Sequence, residues 1–256
     1  MGLFNKKRKH RHFGYSNDED EVTLHKNLAF TAAEQYKMIR ANIGFRLKDH
    51  EKCPVIAITS SMRGEGKSTT AINLSYVFAE KECKVLLIDG DLRIPSIARK
   101  LKIESSPGLS EILKDEEAPI PEFKSLLLSN WFILPSGDIP TNPSELLSSR
   151  RMENFLKQLR EIFDYIIIDL PPVNIVSDAV AISKLISGMI VVVREDYTRK
   201  KELDRCIRQL EFSNVNILGC VMNESKFERG AFGRNKKRKY YEYYRYYLSD
   251  PNGNSN

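Results

Sequence analysis

Cysteine is scarce in this chain and has no pattern. Cys53, Cys83, Cys206 and Cys220 form no CxxC pair and have no histidine at ligand spacing, which excludes a zinc module, an iron–sulfur carrier and a disulfide framework. Long apolar runs are missing too. The best, Ile166–Ile168 and Met189–Val193, fall far short of the roughly 18–20 residues that a membrane span needs. The amino terminus lacks the apolar stretch of a secretory leader, and position 6 is Lys6 where an acylation signal beginning Met1-Gly2 needs Ser or Thr. Together these absences predict a protein that works in the cytoplasm.

What is present is a chain of 256 residues, 41% hydrophobic and 29% charged, with enough apolar matter to close a sizeable core. The formal charge of +6 is modest, and its placement says more than its sum. Lys6, Lys7, Arg8, Lys9 and Arg11 stand near one end. Lys236, Lys237, Arg238 and Lys239 stand near the other, followed at once by Tyr240, Tyr241, Tyr243, Tyr244, Tyr246 and Tyr247. More than half of the 11 tyrosines thus crowd into one short segment, a density that chance composition does not give.

Residues 1–30 are charged and poor in apolar groups, and read as a mobile arm without a core. Residues 31–52 hold an N-terminal helix, with Tyr36, Ile39, Ile43 and Leu47 at helical spacing. From Pro54 short apolar runs appear at Val55–Thr59, Val85–Ile88, Phe132–Leu134, Tyr165–Ile168, Met189–Val193 and Ile217–Met222. Amphipathic stretches such as Lys67–Glu80, Pro143–Ile162, Ser177–Ile186 and Thr198–Phe212 lie between most of them. This pattern predicts a doubly wound α/β domain with a mainly parallel sheet over residues 53–225. Residues 226–256 lose apolar patterning, and this basic, tyrosine-rich tail is expected to be flexible.

The first strand runs into Ser60-Ser61-Met62-Arg63-Gly64-Glu65-Gly66-Lys67-Ser68-Thr69 and then into a helix. This fits a phosphate loop of the pattern G-x-x-x-x-G-K-[ST], with Ser61 in place of the first Gly. Such a turn converges backbone N–H groups on phosphate oxygens at a helix amino terminus. Lys67 would reach the outer phosphates and the Ser68 hydroxyl would ligate Mg²⁺. Two carboxylate motifs end later strands: Asp89-Gly90-Asp91-Leu92-Arg93 and Asp169-Leu170-Pro171-Pro172. Groups at the carboxyl ends of parallel strands line the ligand crevice. Three aspartates gathered there call for a cation, and Mg²⁺ carried by a nucleotide is the simplest one.

These residues resemble the bacterial tyrosine kinases of capsule and exopolysaccharide export. The likeness runs from Thr31 to Asn223 and includes Gly137-Asp138-Ile139-Pro140-Thr141-Asn142-Pro143-Ser144-Glu145-Leu146-Leu147, Ser177-Asp178-Ala179, Val191-Val192-Val193-Arg194 and Leu218-Gly219-Cys220-Val221-Met222-Asn223, with the tyrosine cluster beyond. The fold it implies is the deviant-Walker P-loop NTPase fold shared with chromosome-partitioning ATPases. Those sister proteins are the alternative reading, as switches without kinase activity. They carry a signature lysine five positions before Lys67, where this chain has Met62. Arg63 is a departure from both patterns, since the kinases often have Pro there. The tyrosine cluster favours the kinase, because a phosphoryl acceptor serves no purpose in a cargo-positioning switch.

The resemblance implies ATP and Mg²⁺ as cofactors, held by Gly64, Glu65, Gly66, Lys67, Ser68 and Thr69, with Ser68, Asp89 and Asp169 around the metal and Asn223 near the adenine. It implies Lys67, Asp89, Asp91 and Arg93 as the catalytic set. Asp89 and Asp91 both remain candidates for accepting the tyrosine proton, and Arg93 is expected to position those carboxylates. Phosphorylation is expected in trans on Tyr240 to Tyr247 of a neighbouring subunit in a ring. Tyr240 lies 17 positions after Asn223, a reach of roughly 55–60 Å. Glu34, Lys37 and Arg40 match the ring-forming helix of the family, Lys37 departing from its usual Arg. The expected partners are a membrane adaptor that activates the chain, further copies of itself and a cognate tyrosine phosphatase. No nucleic acid is expected, since the basic aromatic tail comes with no RNA-binding motif.

Overall fold

Among the described residues six apolar runs become six strands, all parallel, in the spatial order Trp131–Leu134, Val85–Asp89, Tyr165–Asp169, Val55–Ser60, Gly188–Arg194 and Ile217–Asn223. The computed structural model describes residues 30–47, 52–115 and 125–224, with the single positions 28, 119, 121 and 123. The tyrosine-rich tail and the basic arm of residues 1–27 lie outside the described residues.

The strands are β1 (Val55–Ser60), β2 (Val85–Asp89), β3 (Trp131–Leu134), β4 (Tyr165–Asp169), β5 (Gly188–Arg194) and β6 (Ile217–Asn223). Each begins and ends within two residues of its run in the sequence. The reason is compositional: side chains that point to both faces of a covered sheet are all apolar, so a strand reads as an unbroken Val/Ile/Leu block. Successive residues then feed two separate cores. Val55, Ala57, Leu86, Ile88, Ile166, Ile168 and Val191 face one, with Phe155, Leu159 and Leu210 packed over them. Ile56, Ile58, Leu87, Ile167, Ile190 and Val192 face the other, under Ile72, Leu74, Phe78 and Ile43.

Helix α1 (Phe30–Arg46) and α2 (Lys67–Ala79) belong to the second core. Tyr36, Ile39, Ile43 and Leu47 all pack there, as their spacing predicted. Because α1 lies over it, α2 is buried on nearly every side from Ser68 to Ala79, which explains its lack of a polar face. Its Ser75 accepts a 2.9 Å bond from the indole of the buried Trp131.

Two stretches depart from the sequence reading. Pro143–Ile162 is two helices, α5 (Pro143–Leu147) and α6 (Arg150–Leu159). They part at Ser149, whose hydroxyl accepts from Met152 N at 3.1 Å and starts α6 afresh. Ser177–Ile186 holds only a four-residue helix, α7 (Asp178–Ala181), and a 3-10 turn. Two helices were not anticipated, α3 (Ile97–Leu101) and α4 (Leu109–Lys114), since neither is long enough to show a period. The last helix, α8 (Lys200–Phe212), follows its amphipathic stretch closely.

The start of α4 is tied to the loop after β3 by Glu111. Its carboxylate accepts from Gly108 N at 2.7 Å, Ser110 Oγ at 2.7 Å and Asp138 N at 3.0 Å. Gly137 has φ +79°, and a Cβ there would meet Glu111 Oε2. Burial alone would raise the Glu111 pKa, but the bonds from Ser110, Gly108 and Asp138 outweigh it and hold the group below its ordinary value. A depressed carboxyl pKa stabilises the fold above the unfolded value, and the gain is lost as pH falls through the folded value. Glu111→Gln is therefore expected to lower stability by about 1 kcal/mol near neutral pH. The difference should shrink as pH falls through the lowered folded value of Glu111, as read from urea midpoints of the two proteins.

Candidate active site

Strand β1 delivers the chain to the phosphate loop, where Gly64 and Gly66 take φ values of +79° and +91°. Both lie in the left-handed region that glycine enters without strain. Gly66 is the residue before α2, and no side chain caps that helix, so its first N–H groups are left for an anion.

The loop is braced from behind. Glu65 is almost fully buried and its carboxylate accepts from Ser61 Oγ at 2.8 Å, Met62 N at 2.9 Å and Thr198 Oγ1 at 2.6 Å. Ser61 thus supplies a hydrogen bond where the general motif has a glycine. What position 65 can offer a phosphate is its backbone N–H, since its side chain is turned inward. Arg194 Nη1 donates to Gly64 O at 3.1 Å, Tyr197 Oη to Arg63 O at 3.1 Å, and Asn223 Nδ2 to Glu65 O at 3.2 Å. Asn223 therefore lies against the loop, with Gly66 so close that a Cβ there would strike its amide.

Asp89 and Asp169 are register partners at the ends of adjacent strands, and Asp91 follows one turn of chain later. Lys67 Nζ sits among them, 2.9 Å from Asp91 Oδ2, 3.3 Å from Asp169 Oδ2 and 3.3 Å from Ser68 Oγ. Burial would lower the Lys67 pKa, but the charges of Asp169 and Asp91 reverse that and raise it. Asp89 is pushed up to about 7, first by burial and then by Asp169. Burial raises Asp169 as well, against the pull of Lys67 and Ser68. The carboxylate of Asp89 is also claimed by backbone, from Asp91 N at 3.2 Å on one oxygen and from Ser96 N and Ile97 N on the other.

Arg93 does not touch these carboxylates. Its Nε and Nη2 donate to the two oxygens of Asp178 at 2.9 and 3.0 Å, and Nη2 also reaches Ser144 Oγ at 3.0 Å. Sequence reasoning gave Asp178 no role of its own, and it likewise passed over Tyr197 and Thr198. Their partners are remote along the chain, so no local spacing marks them. The helix residues matched to ring formation bond within the chain: Lys37 pairs with Glu34 at 2.8 Å, and Arg40 donates to Val77 O. Thr69 lies in the first turn of α2, half-buried. The six clustered tyrosines lie outside the described residues.

A family model described as the NUBPL iron-transfer P-loop NTPase, of ParA type, matches residues 52–242. Tyrosine-protein kinase YwqD of Bacillus subtilis is 36% identical over 77% of this chain and 83% of its own length. The chimerical protein CapA2B2 superposes with a TM-score of 0.71 at 34% identity, over 75% of this chain and 84% of that one. This chain belongs to the bacterial tyrosine-protein kinase family. The kinase domain of Escherichia coli tyrosine kinase ETK is similar too, with a TM-score of 0.69, 28% identity, and coverage of 75% and 77%. The ParA-type match places these kinases within the P-loop NTPases, as the deviant phosphate loop implied.

In this kinase the bond from Thr198 is one of those that keep Glu65 inside the loop. Thr198→Val removes it with little change in shape. Nucleotide affinity is expected to fall roughly 5–10-fold, the worth of about 1 kcal/mol per hydrogen bond. Titration with a fluorescent ADP analogue, beside a thermal melt that moves little, checks this.

Proposed function

We propose that this chain is an ATP-dependent protein-tyrosine kinase that phosphorylates Tyr240, Tyr241, Tyr243, Tyr244, Tyr246 and Tyr247 of a neighbouring copy. The observation that carries the reading is the Lys67 ammonium held by Asp91 and Asp169 at the uncapped start of α2.

The site suits a nucleotide–Mg²⁺ pair on three counts. The uncapped α2 terminus behind two left-handed glycines accepts phosphate oxygens. The raised pKa values of Asp89 and Asp169 reflect buried negative charge short of cations. Among the described residues no three acidic, histidine or cysteine side chains form a metal cage by themselves. That suits Mg²⁺, which arrives on phosphates and keeps several waters. When bound, the metal neutralises charge on the phosphates. Ser68, Asp169 and Asp89 would hold it, directly or through water.

The remaining work falls to the protein. Lys67 exchanges its carboxylate partners for phosphate oxygens and offsets charge as the phosphoryl group moves. The backbone N–H groups of residues 64–69 align the phosphates. Asp89 or Asp91 receives the proton of the incoming phenol, and Asn223, bonded to the Glu65 carbonyl, would lie near the adenine.

Residues 53–225 form the kinase unit in this reading, residues 31–52 the helix that adds oligomer contacts, 1–30 a charged arm and 226–256 the acceptor tail. Glu34, Lys37 and Arg40 would serve the ring. Among the described residues no helix is long and apolar enough to cross a membrane. The reading includes a two-chain arrangement in the cytoplasm, with a separate membrane adaptor that activates the kinase at the inner face of the cell membrane. The chimeric nature of CapA2B2 is in keeping with that. Its role would be to regulate capsule or exopolysaccharide synthesis, with a tyrosine phosphatase resetting the tail.

The test is incubation with labelled ATP and Mg²⁺, with and without the adaptor's cytoplasmic peptide. Phosphotyrosine is expected on the tail and should drop at least about 100-fold in Lys67→Met, where the transition-state charge is left uncompensated. Replacing the six tyrosines by phenylalanine should abolish tail label and leave nucleotide binding intact. ATP hydrolysis with no tyrosine label would instead mark a partitioning-type switch.

A further inference from the structure

We propose that Asp178 and Ser144 are positioning residues of the phosphoryl-transfer site: they hold Arg93, and through Arg93 they keep Asp91 against Lys67. This rests on the reading of the crevice given above.

Asp178 is fully buried at the start of α7. A buried carboxylate is costly unless its oxygens are paired, and here both are. Arg93 approaches fork to fork, Nε on Oδ2 at 2.9 Å and Nη2 on Oδ1 at 3.0 Å, the strong bidentate geometry of guanidinium and carboxylate. The Ser144 hydroxyl donates to Oδ1 and accepts from Arg93 Nη2. Three segments therefore meet at one point: the loop leaving β2, the loop leaving β4 and the first turn of α5.

Asp91 lies between two anchors on the first of these segments. On its amino side Asp89 is fixed by Ser96 N and Ile97 N. On its carboxyl side Arg93 is fixed by Asp178. Its own Oδ1 accepts from Ile94 N at 3.0 Å, which leaves Oδ2 to meet Lys67. When Lys67 turns to phosphate oxygens that last contact is released, and Asp91 must then be held by its flanks. The Arg93–Asp178 pair does this from outside the phosphate loop, so its loss should impair turnover and spare nucleotide binding.

The variants are Asp178→Asn, which turns an acceptor into a donor facing the fork, and Arg93→Lys, which keeps charge but lacks the fork. The rate of γ-phosphoryl release from labelled ATP, to tyrosine or to water, is expected to fall roughly 10–100-fold in each, as for a misplaced reacting group. Affinity for ADP should stay within about 2-fold, and the double variant should lose no more than the worse single one. A second readout needs no turnover. In the nucleotide-free protein the reactivity of Lys67 toward a soluble acylating reagent, read by peptide mass spectrometry, should rise several-fold as Asp91 departs, with the surface Lys52 as an unchanged control. Should Asp178→Asn fail to fold, Ser144→Ala leaves the ion pair in place and is expected to give a smaller shift of the same kind. Unchanged Lys67 reactivity, or losses that multiply in the double variant, would overturn the proposal. ATP turnover without tyrosine label in the wild type would defeat the kinase reading alone, since positioning is still judged on Lys67 reactivity and ATP turnover.

Discussion

One ammonium group among three aspartates organises this molecule. Asp89 and Asp169 are brought side by side by the register of β2 and β4, in the interior of a parallel sheet where neither can be hydrated. Without Lys67 the pair would be driven toward protonation, and Asp89 is pushed up even in its presence. The arrangement is a charge deficit that the fold itself creates. A site of this kind is poised to accept positive charge, and Lys67 is the cation that answers it within the chain.

Holding Lys67 there demands a phosphate loop that keeps its shape. The loop after β5 and the end of β6 meet the demand from the rear. Arg194, Tyr197 and Asn223 donate to three successive carbonyls, Gly64, Arg63 and Glu65, and Thr198 secures the Glu65 carboxylate. Three loop carbonyls are thereby occupied by side chains of the protein itself. The loop is thus preorganised for an anion by hydrogen bonds that the anion never touches.

How much of this was legible in the sequence depends on how far apart the interacting groups lie. The six strands were readable because burial on both faces makes each an apolar block. The Gly64–Ser68 turn was readable because its chemistry is consecutive. Helices α3 and α4 were not, being too short to repeat a pattern. Glu65 was expected to help hold the nucleotide; what the sequence hid is that three donors, one of them more than a hundred residues away, turn its side chain inward and leave its backbone N–H for that task. Arg93 was expected to position the nearby carboxylates, but the group it bonds, Asp178, stands 85 positions on and carried no local mark. Local motifs reveal which groups a site contains; the pairing among them is set by the crossover connections of the sheet.

The last described residue, Glu224, forms an ion pair with Arg194 at 2.6 Å, and Arg194 in turn holds Gly64. The end of β6 and the phosphate loop are thereby latched together: whatever pulls on Glu224 loosens Arg194, and with it one of the donors that hold the Gly64 carbonyl.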